Sequence, residues 1–239
     1  MGFIKTVLDL IYPPRCVVCG NIAVKSGGKR YLCENCRDNM PYIKAEYRCE
    51  KCSVPMDRDG ICPLCEERSH IFNKGLAVFD YSVMKDTIED YKFKNNKYLG
   101  EGLGYIMYRY AAENYPFIFD ECDIMCSVPV HRESLLERGF DQSTVMAETL
   151  SALSGLKHDV LLTRVKETKR QSRLKSYDQR HENVKDAFKA VKDITGRRVL
   201  LIDDVITTGS TADECAKALF EAGAQSVNVY TLSASFKNL

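Results

Sequence analysis

Four cysteine pairs of identical internal spacing, Cys16/Cys19, Cys33/Cys36, Cys49/Cys52 and Cys62/Cys65, constrain this chain more than any other feature. They place eight of its eleven cysteines within the first 65 of 239 residues. Paired C-x-x-C turns separated by short loops are the spacing by which four thiolates close on one tetrahedral Zn²⁺, and a reducing cytosol argues against disulfides. Two residues between thiols let a tight turn aim both sulfurs at one metal, and Gly20, directly after Cys19, suits the positive φ with which a chain leaves such a turn. The spacing therefore predicts two structural zinc sites, each with four cysteine ligands. Buried free cysteines or redox pairs are the competing reading, and four such pairs in about fifty residues count against it. Sequential pairing leaves 13 residues between the first two pairs and 9 between the last two. It is preferred to a cross-braced arrangement that joins the first pair with the third, because each short excursion is then a self-contained hairpin stabilised by its own metal.

Charge limits what such a module can touch. Residues 1–75 hold 12 Lys/Arg and 9 Asp/Glu, a net of +3. Each tetrathiolate zinc centre adds −2, which leaves the loaded module near −1 rather than a basic patch. A nucleic-acid reader and a stapled protein-contact module both stay open. The whole chain balances 34 Lys+Arg against 33 Asp+Glu and is 45% hydrophobic, which excludes disorder, collagen and a coiled-coil rod. No apolar run approaches the roughly 18 residues of a membrane span, and residues 1–10 lack a basic n-region and a small-residue cleavage site. A cytoplasmic location without a membrane span is the expectation. The polar stretch 66–74 ends the module, so a cysteine-rich unit over 1–70 and a larger domain over 71–239 are expected.

Beyond the module the pattern changes. Residues 75–81 (GLAVFDY) read as a strand, and 84–93 and 98–110 carry apolar or aromatic residues at helical spacing, more as core than as a ligand box. From Cys122 onward the chain alternates: strand 123–128, helix 133–153, strands 160–165, 188–191 and 198–202, helix 211–222, strand 226–232. Such alternation predicts an α/β fold with a mostly parallel sheet and helices on both faces. His131, His158 and His181 read as surface or capping histidines.

Residues 198–211, RVLLIDDVITTGST, are the most informative segment. Val199, Leu200, Leu201 and Ile202 form the continuous apolar run of a central parallel strand, and Asp203 and Asp204 stand at its carboxyl end, where open α/β sheets bind ligands. Thr207, Thr208, Gly209, Ser210 and Thr211 then make a loop of small residues opening a helix. Its N–H groups, hydroxyls and macrodipole form a phosphate cradle. Two carboxylates three residues before it have a natural target in the vicinal hydroxyls of a ribose whose 5-phosphate sits in the loop. Neither a Walker loop nor a dinucleotide fingerprint fits, since no Lys follows Gly209 and the G-x-G-x-x-G spacing is absent.

The run LLIDDVITTGST resembles the phosphoribosyl-pyrophosphate (PRPP) signature of type I phosphoribosyltransferases. With the zinc module ahead of it, the chain is identified as a member of the ComF family of competence-associated proteins, double zinc ribbon plus phosphoribosyltransferase domain. SVPVHRESLLERGFDQS at 127–143 is similar to the family's pyrophosphate-loop region, and RVKETKRQSRLKSYDQRHENVKDAF at 164–188 is similar to a further family stretch. The resemblance implies that Asp203 and Asp204 hold the ribose hydroxyls and that residues 207–211 hold the 5-phosphate. It also implies that Mg²⁺ accompanies PRPP. Arg132 and Arg138 would neutralise the leaving diphosphate. Asp141, where the family more often has Asn, puts an anion beside that site and weakens Arg138 more than Arg132.

Residues 163–180 carry seven Lys/Arg, among them Arg170 and Arg173, against Glu167 and Asp178, a net of +5. The resemblance implies a loop that closes over the site, bringing Arg170 to the departing pyrophosphate. The same loop could lie along a single-stranded backbone with Tyr177 stacking on bases, or be a solvated surface. Three functions stay open: a PRPP-binding protein that assists DNA uptake with single-stranded DNA and uptake-machinery proteins as partners, an active phosphoribosyltransferase in nucleotide salvage, and a PRPP-sensing regulator without turnover. In the second the zinc module only docks or forms a homodimer.

Overall fold

The computed structural model describes residues 13–23, 31–93, 96–130, 132–166, 168 and 177–236. The cysteine-rich module is built of two short excursions. In the first, Gly20 leaves the Cys16/Cys19 turn at φ +73°, and the chain returns through α1 (Glu34–Asp38), whose N-cap is Cys33. In the second, β1 (Tyr47–Arg48) pairs antiparallel with β2 (Pro55–Met56), and α2 (Pro63–Arg68) follows Cys62, with Pro63 in the first turn, where a missing N–H costs nothing.

A four-stranded sheet forms the larger unit: β3 (Lys74–Asp80), β4 (Ile124–Ser127), β7 (Arg198–Ile206) and β8 (Ser226–Ala234) stand in the order β3-β8-β7-β4, all parallel. One face is covered by α3 (Tyr81–Phe93), α4 (Lys97–Asn114) and α6 (Gln142–Ser154), the other by α8 (Ser210–Glu221). Strand parity sorts the core. Leu200 and Ile202 pack with Ile106, Met107 and Met146 on the first face, while Val199 and Leu201 pack with Cys215 and Leu219 on the second. All four of these β7 side chains are fully buried, as a central strand covered on both faces requires. The buried Tyr230 hydroxyl donates to the Met107 carbonyl at 2.6 Å, so the polar tip of the largest β8 side chain is paired. Among the described residues no helix is long and apolar enough to cross a membrane.

Four expectations are modified. The helix expected over 133–153 is two, α5 (Arg132–Arg138) and α6, because Gly139 takes φ +70° and Asp141 caps α6, its Oδ1 accepting from the Thr144 N–H at 3.0 Å. The strand expected to stop at 202 continues to Ile206, since β8 offers partners as far as Ala234. The strands expected near 160–165 and 188–191 do not enter the main sheet; β5 (Leu162–Arg164) and β6 (Phe188–Ala190) form a separate antiparallel ribbon. Between them, α7 (Tyr177–Val184) occupies part of the stretch expected to be a loop.

The module is seated on the sheet domain. Val17 lies against Gly102 of α4 so closely that a Cβ at 102 would stand 2.4 Å from Val17 Cγ1. Nearby, the Tyr31 hydroxyl donates to Glu101 Oε2 at 3.0 Å. Gly102→Ala should therefore destabilise the zinc-loaded chain by about 1–3 kcal/mol through overpacking. Denaturant titration should show most of that loss recovered in the Gly102→Ala/Val17→Ala pair.

Candidate functional site

The eight module cysteines fall into two clusters, Cys16, Cys19, Cys33, Cys36 and Cys49, Cys52, Cys62, Cys65, with all four sulfurs of each within 4.8 Å of one another. The pairing is sequential. The Cys19–Cys33 and Cys52–Cys62 sulfur separations are 3.6 and 3.8 Å. A disulfide is ruled out at that distance, whereas Zn–S bonds of about 2.3 Å in a tetrahedron put neighbouring sulfurs about 3.8 Å apart. Backbone N–H groups already point at the thiolates: Cys36 N–H donates to Cys33 Sγ at 3.4 Å, and Cys62 N–H to Cys49 Sγ at 3.3 Å. Hydrogen bonds from the Cys52 and Cys65 thiols, then from the Cys62 and Lys51 N–H groups, hold the Cys49 thiol far below its ordinary value against the effect of burial. The Cys65 thiol is pushed far up by its neighbours Cys49 and Cys52. Crowded thiols ionise together only when a dication compensates them, so the donor set fits Zn²⁺.

The second centre lies at the carboxyl edge of the sheet. Gly209, at φ +80°, is the N-cap of α8. Residues 207–211 thus form the turn from β7 into a twelve-residue helix, whose first-turn N–H groups lie at the positive end of the macrodipole. Beside it a small cleft, open to solvent, is lined by Asp203, Val205, Thr207, Gly209, Thr211 and Thr231 among others. Thr208 and Ser210 do not line it. Both are buried, with their hydroxyls 3.0 Å apart and bonded to each other, so two of the loop's hydroxyls brace the turn and two face the cleft.

The two carboxylates, adjacent in sequence, part company because strand residues alternate in face. Asp203 lines the cleft; its Oδ1 accepts from the Ser143 hydroxyl at 3.0 Å and from the Asp204 N–H at 2.8 Å. Asp204 Oδ2 pairs with the Lys92 ammonium of α3 at 2.5 Å, on the other face. Burial, then the neighbouring Asp204 charge, push Asp203 up to about 8 against the pull of its N–H and hydroxyl donors. Burial lowers the guanidinium of Arg164, on β5, from its ordinary value, opposed by its nearness to Cys215 and Asp203.

The expected diphosphate arginines lie elsewhere or beyond view. Arg132 is exposed at the start of α5 and is not part of the cleft wall. Nothing is described of the Arg138 side chain, and Arg170 and Arg173 lie outside the described residues, as does His131. Asp141 is not a bare anion: besides capping α6, its Oδ2 accepts from the Val130 N–H at 3.0 Å, which ties down the chain after β4.

Sequence reasoning missed His70 and Lys92. His70 is buried behind Gly209, its ring 2.2 Å from the place a Cβ at 209 would take, so residue 209 must be glycine on two counts. No spacing marks either residue, because both reach the site from elements distant in the chain.

The strand of the parallel sheet that carries the cleft-facing carboxylate and turns through T-T-G-S-T into a helix lies within residues 136–236, which match the family described as phosphoribosyl transferase domain. The double zinc ribbon domain family matches residues 7–66. The chain thus matches a double zinc ribbon in its first part and a phosphoribosyl transferase domain in its last. More particularly, it is similar to competence protein F of Haemophilus influenzae, with 28% identity over 229 residues, 92% of this chain and 96% of that one. Competence protein ComFC of Bacillus subtilis is 27% identical over 84% of this chain and 83% of its own. DNA utilization protein YhgH of Escherichia coli K12 is 28% identical over 77% of this chain and 82% of its own.

Elemental analysis of the purified chain should give about two zinc ions per molecule, and Cys49→Ser should give about one, since a three-thiolate site binds far more weakly than four.

Proposed function

We propose that this chain binds PRPP with Mg²⁺ in the cleft and assists DNA uptake in natural competence from the cytoplasm, where its thiols stay reduced for zinc. The observation that carries the PRPP reading is that Asp203 opens into the same cleft as Thr207, Gly209 and Thr211. A carboxylate and an N–H-rich turn there suit a ribose diol joined to a 5-phosphate. The cleft's oxygen donors also suit a hard cation, which would screen the pyrophosphate when bound. Asp203 is the ribose ligand in this reading, whereas Asp204 acts by pairing with Lys92 and holding α3 against the strand end. Arg132, Arg138 and Arg170 are retained as candidate diphosphate partners, Arg170 from the basic segment. The DNA-uptake reading is supported by homology to competence protein F, ComFC and YhgH.

Binding should be linked to protons with a definite sign. Asp203 is half protonated near pH 8, and only its ionised form accepts from both hydroxyls of a diol. PRPP affinity should therefore rise from pH 6.5 to 8.5, with proton release on binding near neutrality. Titration calorimetry in buffers of different ionisation enthalpy reads both. Asp203→Asn should weaken binding about 10- to 150-fold, as loss of a charged hydrogen-bond acceptor does, and should flatten the pH profile. Affinity that is constant with pH and untouched by Asp203→Asn overturns the site.

Handling of single-stranded DNA rests on the seven Lys/Arg of residues 163–180. A fluorescent oligonucleotide titrated at several salt concentrations should bind the parent with a steep log-log slope. Arg170→Ala/Arg173→Ala should make that slope shallower by about 1.4, at about 0.7 per phosphate contact. An unchanged slope removes the two arginines from any DNA interface.

A further inference from the structure

We infer that His70 is a positioning residue for the phosphate loop and couples the second cysteine cluster to it; the inference rests on the phosphate-site reading of residues 207–211. His70 lies five residues after Cys65 and belongs to the segment that leads from the zinc ribbon into β3. Its Nδ1 stands 2.7 Å from Asp213 Oδ2, and the Ile71 N–H donates to Asp213 Oδ1 at 2.9 Å. An ionised carboxylate only accepts, so the proton of that first contact sits on Nδ1. Both oxygens of Asp213, in the first turn of α8, are thus taken by the linker.

This arrangement answers two needs of an anion site. The His70 ring fills the space directly behind Gly209 and fixes how far the turn can recede from a ligand. It also holds, through its Nδ1–H, a carboxylate that stands one turn from the proposed phosphate position and fixes where that charge sits. Removing the ring leaves a void under the turn and an under-bonded Asp213 in the first turn of the helix, so the loop loses its backing and the carboxylate loses a hydrogen bond that holds it toward the linker.

The other end of the link is the metal ribbon. The Lys51 ammonium donates to the carbonyl of His70 at 3.3 Å and to that of Phe72, and it lies 5.3 Å from the centre of the Phe72 ring. That ring in turn stacks on His70, 5.0 Å away with 25° between planes. Lys51 sits between Cys49 and Cys52, and its own N–H donates to Cys49 Sγ at 3.5 Å. Four thiolates closed on a metal fix the Cys49–Cys52 turn, the turn fixes Lys51, Lys51 fixes the backbone on both sides of residue 71, and His70 reaches the loop. Coupling of this kind is reciprocal: whatever tightens the loop must also tighten the metal site.

The experiment uses the zinc-loaded full chain, with PRPP affinity measured by calorimetry and zinc loss followed with a chromogenic chelator. Saturating PRPP should slow the release of one of the two zinc ions by about fivefold or more in the parent, a test that needs no variant. His70→Ala should bind PRPP roughly tenfold more weakly and lose the protection, while His70→Gln, which can still donate to Asp213, should stay within about threefold of the parent. Zinc release indifferent to PRPP, or His70→Ala binding like the parent, overturns the inference. If the parent does not bind PRPP, the phosphate-site reading fails and the coupling is judged by amide hydrogen exchange of residues 207–213. Exchange faster in His70→Ala and restored in His70→Gln sustains it; unchanged exchange refutes it.

Discussion

Four thiols drawn within 4.8 Å of one another cannot all give up their protons unless a dication takes up the charge, and the rest of the chain is arranged around two such demands. Among the described residues the second excursion of the ribbon is lined by its four cysteines with only Val54, Met56, Ile61 and Leu64 packed against them. Metal binding therefore does the work of hydrophobic burial there. What it fixes extends beyond the ribbon. The Cys16, Cys33 and Cys36 sulfurs belong to the same buried cluster as Leu103, Met107 and Leu200, so the first site is continuous with one face of the sheet domain. Phe72, just after the ribbon, belongs to the cluster on the other face.

The parts of this structure that could be read in the sequence are those whose physics is local. Cysteine spacing shows because two residues between thiols set the turn, and the sequential pairing follows from loop length. Strand β7 shows because Val199 to Ile202 are apolar without a break. The phosphate turn shows because Gly209 and its neighbours must leave a strand and start a helix within a few residues. What stayed hidden depends on partners distant in the chain. The continuation of β7 past the acidic pair is decided by register with β8. The break between α5 and α6 needs Asp141 to cap one helix while holding Val130. The inward turn of Thr208 and Ser210, the approach of Lys92 and the place of His70 behind Gly209 come from tertiary packing, for which the sequence carries no periodic signal.

The acidic pair shows what such hidden geometry changes. As letters, Asp203 and Asp204 look like one device. In the fold, one carboxylate is pressed into a cleft and held largely protonated by its surroundings, while the other is spent on an ion pair across the sheet. Replacing both at once would merge a loss of ligand contact with a loss of helix seating, and the two losses carry different signatures in affinity and stability.

Strand β3 is one of the two outer strands of the sheet, and its side away from β8 is closed by the Cys49–Cys52 turn. The Gly75 N–H donates to Glu50 O at 2.7 Å, and Ser53 Oγ accepts from the Ala77 N–H at 2.9 Å while donating to the Gly75 carbonyl at 3.2 Å. Backbone groups left open on a sheet edge are a template for another chain. A copy of this protein made under zinc starvation would therefore do more than lose a small module: it would uncover a ready-made strand edge, and self-association in metal-poor cells becomes a built-in liability of placing the metal turn there.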